Sequence, residues 1–149
     1  MEMASQLGSD IPFFLFKKPA IATGKGEKIK FLSFPLPLWY IIVCPPIRIS
    51  TAWAYQQIRL TTVEFQIKIN ALKDILKYLQ NDLERGVESR FVEIKRAKEC
   101  LKSAGCRYVI MSGSGSSVIG IFSNKIEAQK VKKALVLPKG WQSFLVKGL

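Results

Sequence analysis

Apolar residues recur three and four positions apart in several stretches of the chain, a spacing typical of the buried face of an α-helix. These stretches are residues 64–83, 88–103 and 125–136, the last of them rich in lysine. A shorter helix is predicted over 52–57, because Ser50 and Thr51 form a good N-cap pair in front of it. The spacing therefore predicts a largely helical middle and a cationic helix near the end.

Short runs rich in apolar residues and bounded by turn residues predict strands between and around these helices. The runs cover residues 38–43, 107–110, 118–122 and 141–146. Helices laid against a small, mostly antiparallel sheet make an α+β domain of ferredoxin-like type. This is the predicted fold class.

Glycine and amide residues predict where some of these elements end. Gly105 is expected to stop the helix over 88–103, since glycine is common just past a helix C-terminus. Asn81 and Asp82 are expected to fix local structure ahead of a turn at Gly86.

The first 35 residues predict a separate small piece of structure. The alternation from Lys28 to Phe31 and the glycines at 24 and 26 indicate two strands around a turn. This segment is too small to form a domain alone. We therefore expect two parts, 1–35 as the end of another domain and 36–149 as the main domain.

The charge of the chain favours anionic partners. Its 149 residues include 23 lysines and arginines against 11 acids, a net charge of +12. Such an excess suits nucleotides, phosphorylated metabolites or nucleic acid. The basic residues are scattered, and no strand has the aromatic pattern of an RNA-binding sheet, so nucleic acid is the less favoured partner.

The absence of histidine from the sequence excludes Ser-His and Cys-His catalysis and any histidine-ligated metal site, and no protein metal site is expected. Three cysteines without a C-x-x-C pair predict reduced thiols and a cytoplasmic location. Prolines, among them Pro35, Pro37 and Pro45, interrupt the apolar run over 31–49 too often for a transmembrane helix, so no membrane partner is expected.

A serine–glycine loop lies between the two predicted strands at 107–110 and 118–122. It reads Met111-Ser112-Gly113-Ser114-Gly115-Ser116-Ser117. Glycines allow a tight turn whose N–H groups can converge on anionic oxygens, and serine hydroxyls add donors. A phosphate-facing loop and an ordinary hairpin turn with solvated serines both fit this pattern.

Several short motifs occur in the order found in one known family. They are Gly8-Ser9-Asp10-Ile11-Pro12-Phe13-Phe14, Ala22-Thr23-Gly24-Lys25-Gly26-Glu27, Trp39-Tyr40, Ser50-Thr51-Ala52-Trp53, Asn81-Asp82-Leu83-Glu84 and the loop beginning at Met111. With these motifs the chain resembles the C-terminal half of the GHMP kinase superfamily. It is most similar to the members that phosphorylate the 2-hydroxyl of 4-diphosphocytidyl-2-C-methyl-D-erythritol in the non-mevalonate route to isoprenoids.

The resemblance implies ATP, Mg²⁺ and a cytidine-diphosphate sugar alcohol as ligands. The N-terminal half of the family, with a catalytic lysine and an ATP loop, has no counterpart here. We therefore expect an incomplete enzyme, whose missing half could be a separate chain. The part over 1–35 would be the end of that kinase domain, and 36–149 the family's C-terminal domain.

The resemblance also implies roles for single residues. Asp10 corresponds to the catalytic aspartate, which takes the proton from the attacking hydroxyl. Lys25, Thr51 and Tyr55 correspond to substrate-binding positions, with Tyr55 stacking on cytosine. The residues implied to support the phosphate loop are Ser112, Gly113, Ser114 and Gly115.

Purely structural roles remain open for the same residues. Asp10 before Ile11-Pro12 is also a good helix N-cap, Lys25 could be an ordinary exposed lysine, and Tyr55 could be an interfacial helix residue. Two further functions stay open as well: another small-molecule kinase of the same superfamily, and a small basic α/β module that binds nucleic acid.

Overall fold

The structure is a computed structural model that describes residues 18–24, 28–32, 38–58 and 72–148. These residues belong to two units, the first containing 18–32 and the second 38–148 of the described chain.

The first unit contains a β-hairpin. Strand β1 (Ala20–Thr23) pairs antiparallel with β2 (Lys28–Phe31), with Ala20 opposite Phe31. Gly24 follows β1 with φ of 71°, a conformation that glycine adopts without steric cost. The predicted pair of strands around a glycine turn is confirmed.

The second unit is built on a four-stranded antiparallel sheet. Its strands are β3 (Trp39–Cys44), β4 (Tyr108–Met111), β5 (Val118–Phe122) and β6 (Gln142–Lys147). The spatial order is β4-β5-β3-β6, and every neighbouring pair is antiparallel. The first and third strands of this unit are thus central, as in a ferredoxin-like sheet, and the predicted α+β class is confirmed.

The helices of the second unit lie in the two connections between parallel strands. They are α1 (Thr51–Gln56), α2 (Leu72–Lys77), α3 (Asp82–Glu88), α4 (Val92–Ser103) and α5 (Lys125–Ala134). Helix α4 packs on β4 and β5, and α5 packs on β3, β5 and β6. Ser50 caps α1 as predicted, because its hydroxyl accepts a hydrogen bond from Trp53 N at 3.3 Å.

The core lies between the sheet and the helices α4 and α5. Alternate strand residues face the helices, and the fully buried ones include Ile41, Val43 and Val118. Gly120 lets α4 approach closely, since a Cβ atom there would lie 2.7 Å from Cys106 Sγ and 3.3 Å from Leu101 Cδ2. Any larger residue at this position would push α4 away from β5.

The structure corrects two boundaries. The apolar spacing over 64–83 predicts one helix, but in its described part α2 ends at Lys77 and a new helix, α3, begins after Asn81. The side chain of Asn81 accepts a hydrogen bond from Leu83 N at 3.0 Å and so starts a helix of its own. The residues before 72 lie outside the described part.

The turn predicted at Gly86 is also wrong, because Gly86 lies within α3. Its small size serves packing instead: a Cβ atom there would lie 2.5 Å from Gln57 Cβ at the end of α1. The prediction for Gly105 is confirmed, since it follows α4 with φ of 100° and its N–H donates to Lys102 O at 2.9 Å.

Candidate functional site

The serine–glycine loop connects β4 to β5 at the edge of the sheet, where Met111 and Val118 are the last paired residues. Two backbone hydrogen bonds of 2.9 Å close it, from Ser112 N to Ser117 O and from Gly115 N to Ser112 O. The predicted hairpin is thus present, and its tip is a tight turn with internal hydrogen bonds.

The two glycines of the loop face different surroundings. Gly113 has φ of 52°, and a Cβ atom there would meet nothing within 4 Å. Gly115 has φ of 86°, and a Cβ atom there would lie 3.0 Å from Ile49 Cδ1 and 3.1 Å from Met111 Sδ. The loop is therefore packed on the side of Gly115 and open to a ligand at Gly113.

Helix α1 reaches the loop through a pair of hydroxyl groups. Thr51 Oγ1, in the first turn of α1, lies 3.0 Å from Ser114 Oγ. Thr51, which the resemblance implies binds the substrate, thus contacts Ser114, which it implies supports the phosphate loop. The other end of the loop is joined to the chain after β3, where Ser116 Oγ donates to Pro45 O at 3.5 Å.

Tyr55 lies one turn after Thr51 on α1 and is 61% exposed. Its ring borders a cleft of about 410 Å³ that Gly113 also lines. The remaining lining residues are Ile58, Gln80, Asn81, Asp82, Leu83, Ile110 and Met111. Tyr55 and Gly113 therefore line one cleft, and Tyr55 offers it an exposed aromatic side chain.

Helix α1 is held in place by an aromatic and cationic contact on its other side. The guanidinium carbon of Arg90 lies 5.0 Å from the ring centre of Trp53 on α1 and 5.8 Å from that of Phe91. The two rings meet edge to face at 5.4 Å. Trp53 is thus a packing residue, and it helps to fix the helix that carries Thr51 and Tyr55.

Two residues at the start of α3 hold the loop, and analysis of the sequence gave neither of them a place in the site. Asn81 Nδ2 donates to Met111 O and to Gly113 O, both at 2.8 Å. Glu84 Oε1 accepts a hydrogen bond from Met111 N at 3.1 Å. The signal for them is the spacing Asn-x-x-Glu, which is typical of the start of a helix.

Glu84 in turn belongs to an ion-pair network with α4. Lys98 Nζ lies 2.6 Å from Glu84 Oε1 and 2.7 Å from Glu88 Oε1. Burial by itself would lower the pKa of Lys98, but the hydrogen bonds and charges of Glu84 and Glu88 outweigh burial and raise that pKa above its ordinary value. The lysine thus keeps its charge and anchors α3, which holds the loop, to α4.

The structure brings together Thr51, Tyr55 and the loop residues from Ser112 to Gly115. Asp10 and Lys25 lie outside the described residues, and their roles stay predictions. In the described ranges, no three His, Cys, Asp or Glu side chains come together as metal ligands. No helix in those same ranges has both the length and the apolar character needed to cross a membrane.

A family model described as GHMP kinases C terminal matches residues 64–138. This match covers half of the chain and includes α3, the glycine loop and α5. The chain therefore belongs to the GHMP kinase family, and residues 64–138 match the C-terminal part of that family.

The curated relatives include enzymes named 4-diphosphocytidyl-2-C-methyl-D-erythritol kinase. The one from Syntrophotalea carbinolica is 39% identical over 98% of this chain and 54% of its own length, and the one from Citrifermentans bemidjiense is 40% identical over 99% and 54%. The chain spans about half the length of the curated relatives it matches.

Solved structures show the same likeness. A crystal structure of 4-(cytidine 5'-diphospho)-2C-methyl-D-erythritol kinase superposes with a TM-score of 0.76 at 29% identity, over 97% of this chain and 55% of that one. Homoserine kinase from Cytophaga hutchinsonii has a TM-score of 0.62 at 16% identity over 87% of this chain and 48% of that one, which shows a shared fold.

Proposed function

We propose that this chain contributes the C-terminal part of a kinase that transfers the γ-phosphoryl group of ATP to the 2-hydroxyl of 4-diphosphocytidyl-2-C-methyl-D-erythritol. The observation that carries the proposal is the hydrogen bond of 3.0 Å between Thr51 and Ser114. It joins a substrate-side helix to a loop suited to phosphate oxygens, and phosphoryl transfer depends above all on such mutual positioning.

The shared cleft supports the cytidine-containing substrate. Tyr55 offers an exposed ring beside the open side of Gly113, so a base stacked on Tyr55 would leave its diphosphate near the loop. The names of the relatives from two organisms agree with this assignment.

Asp10 and Lys25 complete the proposal from outside the described residues. Asp10 would take the proton of the 2-hydroxyl as that oxygen attacks phosphorus, and Lys25 would contact the substrate. We also propose a cytoplasmic location, because the three cysteines are free thiols.

Mg²⁺ accompanies ATP in the proposal and would neutralise charge on the transferred phosphoryl group. Among the described residues, no three His, Cys, Asp or Glu side chains come together as metal ligands. In the proposal, ATP and Mg²⁺ are bound mainly by the part of the relatives that this chain does not cover, and the described loop contacts phosphate oxygens.

The test is a transfer assay on the full chain fused behind the part of the Syntrophotalea carbinolica relative that it does not cover, here called the joined protein. With radiolabelled ATP, we expect label on the cytidylylated substrate and none on methylerythritol phosphate without cytidine. Transfer to homoserine instead would assign another kinase of the family. Retention on single-stranded nucleic acid without any transfer would contradict the proposal.

A further inference from the structure

The backbone N–H and C=O groups of Met111 form hydrogen bonds with side chains instead of with a neighbouring strand. Met111 ends β4, at the edge of the four-stranded sheet. Its N–H donates to Glu84 Oε1 at 3.1 Å and its carbonyl accepts from Asn81 Nδ2 at 2.8 Å. Asn81 and Glu84 are three residues apart at the start of α3, so they point to the same side. Helix α3 thus takes the place of a neighbouring strand at this point.

The same amide group of Asn81 also holds the loop beyond the strand. Its Nδ2 donates to Gly113 O at 2.8 Å, and its Oδ1 accepts from Leu83 N at 3.0 Å. A primary amide has two N–H donors, and the carbonyls of Met111 and Gly113 take one each. The reverse orientation of the amide would place its oxygen against two carbonyl oxygens, so these contacts determine the side chain's orientation.

The hydrogen bond from Asn81 to the Gly113 carbonyl also fixes the direction of the Ser114 N–H, which belongs to the same peptide group. In a planar trans peptide the C=O and N–H groups point in opposite directions. With Gly113 O turned toward Asn81, the N–H of Ser114 points away from α3. The Ser114 hydroxyl meets Thr51, and the space beside Gly113 is open.

We infer that Asn81 is a positioning residue for phosphoryl transfer: it holds the Met111 and Gly113 carbonyls so that the loop presents Ser114 to the phosphate. This inference rests on the proposed function. Asn81 itself faces the backbone of the loop and acts through Gly113 and Ser114.

Asn81→Asp separates this role from helix capping. An aspartate still accepts the hydrogen bond from Leu83 N, since Asp and Asn are equally good N-caps. It loses both donations to the loop and places an oxygen beside two carbonyl oxygens. The matched control is Asn124→Asp: Asn124 caps α5 through Glu127 N, and its Nδ2 donates to Glu127 Oε2 at 3.3 Å, so this variant also replaces a side-chain donor by an oxygen at a helix start away from the loop.

In the joined protein, we expect Asn81→Asp to lower kcat by about 10- to 100-fold, since small displacements of positioning groups cost that much. Asn81 also lines the cleft, so the KM for the cytidylylated substrate is measured in the same assay, and kcat should fall by a larger factor than KM rises. Asn124→Asp should keep both constants. A kcat for Asn81→Asp within twofold of the wild-type value would overturn the inference.

A second measurement uses the full chain alone and does not depend on activity. In Asn81→Asp, amide hydrogen exchange at Ser112 and Gly115 should be faster by at least about tenfold, the equivalent of one lost hydrogen bond. Exchange at Leu83 and throughout α5 should be unchanged. The two claims fail separately. Absence of phosphoryl transfer by the joined wild-type protein would contradict the proposed function. Unchanged hydrogen exchange in the loop of Asn81→Asp would contradict the role of Asn81.

Discussion

Thr51 and Ser114 lie 63 positions apart in the sequence, yet their hydroxyl oxygens are separated by 3.0 Å. Thr51 begins the helix that carries Tyr55, and Ser114 is at the tip of the glycine loop. This contact is where the two halves of the candidate site meet within the described domain. Its strength is therefore the first quantity to measure.

A double-mutant cycle of Thr51→Val and Ser114→Ala measures this contact. Valine keeps the branched shape of threonine, and Ser50 remains to cap α1. Because both hydroxyls are near solvent, we expect a coupling free energy of about 0.5–1 kcal/mol in urea unfolding. Ser112→Ala in place of Ser114→Ala is the control and should show no coupling with Thr51. Additive effects of Thr51→Val and Ser114→Ala would show that the contact is absent in solution.

The two loop glycines differ in what a side chain would cost. Gly113→Ala introduces only the strain of a positive φ, about 1–2 kcal/mol. Gly115→Ala adds crowding against Ile49 and Met111, so we expect it to be more destabilising than Gly113→Ala by about 1–3 kcal/mol. Urea unfolding of the two variants gives the comparison. Equal losses of stability would mean that the packed and open sides of the loop are wrongly assigned.

The Lys98 network predicts a loss of stability at alkaline pH. Because the folded protein raises the pKa of Lys98 above its ordinary value of 10.5, the charged lysine stabilises the fold fully below that pH. This contribution is lost as the pH rises through the folded-state pKa.

Lys98→Met should lower the free energy of unfolding at pH 7 by about 1–3 kcal/mol, since it leaves Glu84 and Glu88 half-buried without their partner. It should also weaken the decline of stability above pH 10.5, measured by urea unfolding. Lys95→Met, an exposed lysine on the same helix, is the control, with a change under about 0.5 kcal/mol. An unchanged alkaline decline in Lys98→Met would contradict the network.

Substitutions of Tyr55 test whether the joined protein recognises the base by stacking. Replacing the ring should raise the KM for the cytidylylated substrate by about 5- to 100-fold in Tyr55→Ala, the equivalent of one lost stacking contact. Tyr55→Phe keeps the ring and should keep the KM. Tyr78→Ala removes another exposed tyrosine, one that does not line the cleft, and serves as the control. Equal KM values for Tyr55→Ala and Tyr55→Phe would exclude stacking.

Local signals in the sequence predicted most of the fold. The apolar runs gave the four strands of the domain, and Gly105 gave the end of α4, because each depends on residues close together in the chain. The break between α2 and α3 escaped prediction, since the apolar spacing continues across Asn81. At Asn81 the side chain accepts a hydrogen bond from Leu83 N, so the chain starts a new helix there instead of continuing α2.

The candidate site was predicted only in part. The loop was recognisable in the sequence as a run of serines and glycines, but the hydrogen bonds that hold it to α3 were not. Asn81 contacts Met111 from 30 positions away, and Glu84 from 27. Such contacts depend on how α3 packs against the edge of the sheet, which no local pattern encodes. Family resemblance supplied Thr51 and Tyr55, and the structure then placed both beside the loop.

The most direct test of the kinase account is Asp10→Asn in the joined protein, measured in a single turnover with bound substrate. Asparagine keeps the size and shape of the side chain but cannot take the proton of the attacking hydroxyl. We predict that turnover falls by at least about 100-fold while the dissociation constant for the cytidylylated substrate changes little. Turnover near the wild-type rate would contradict the account.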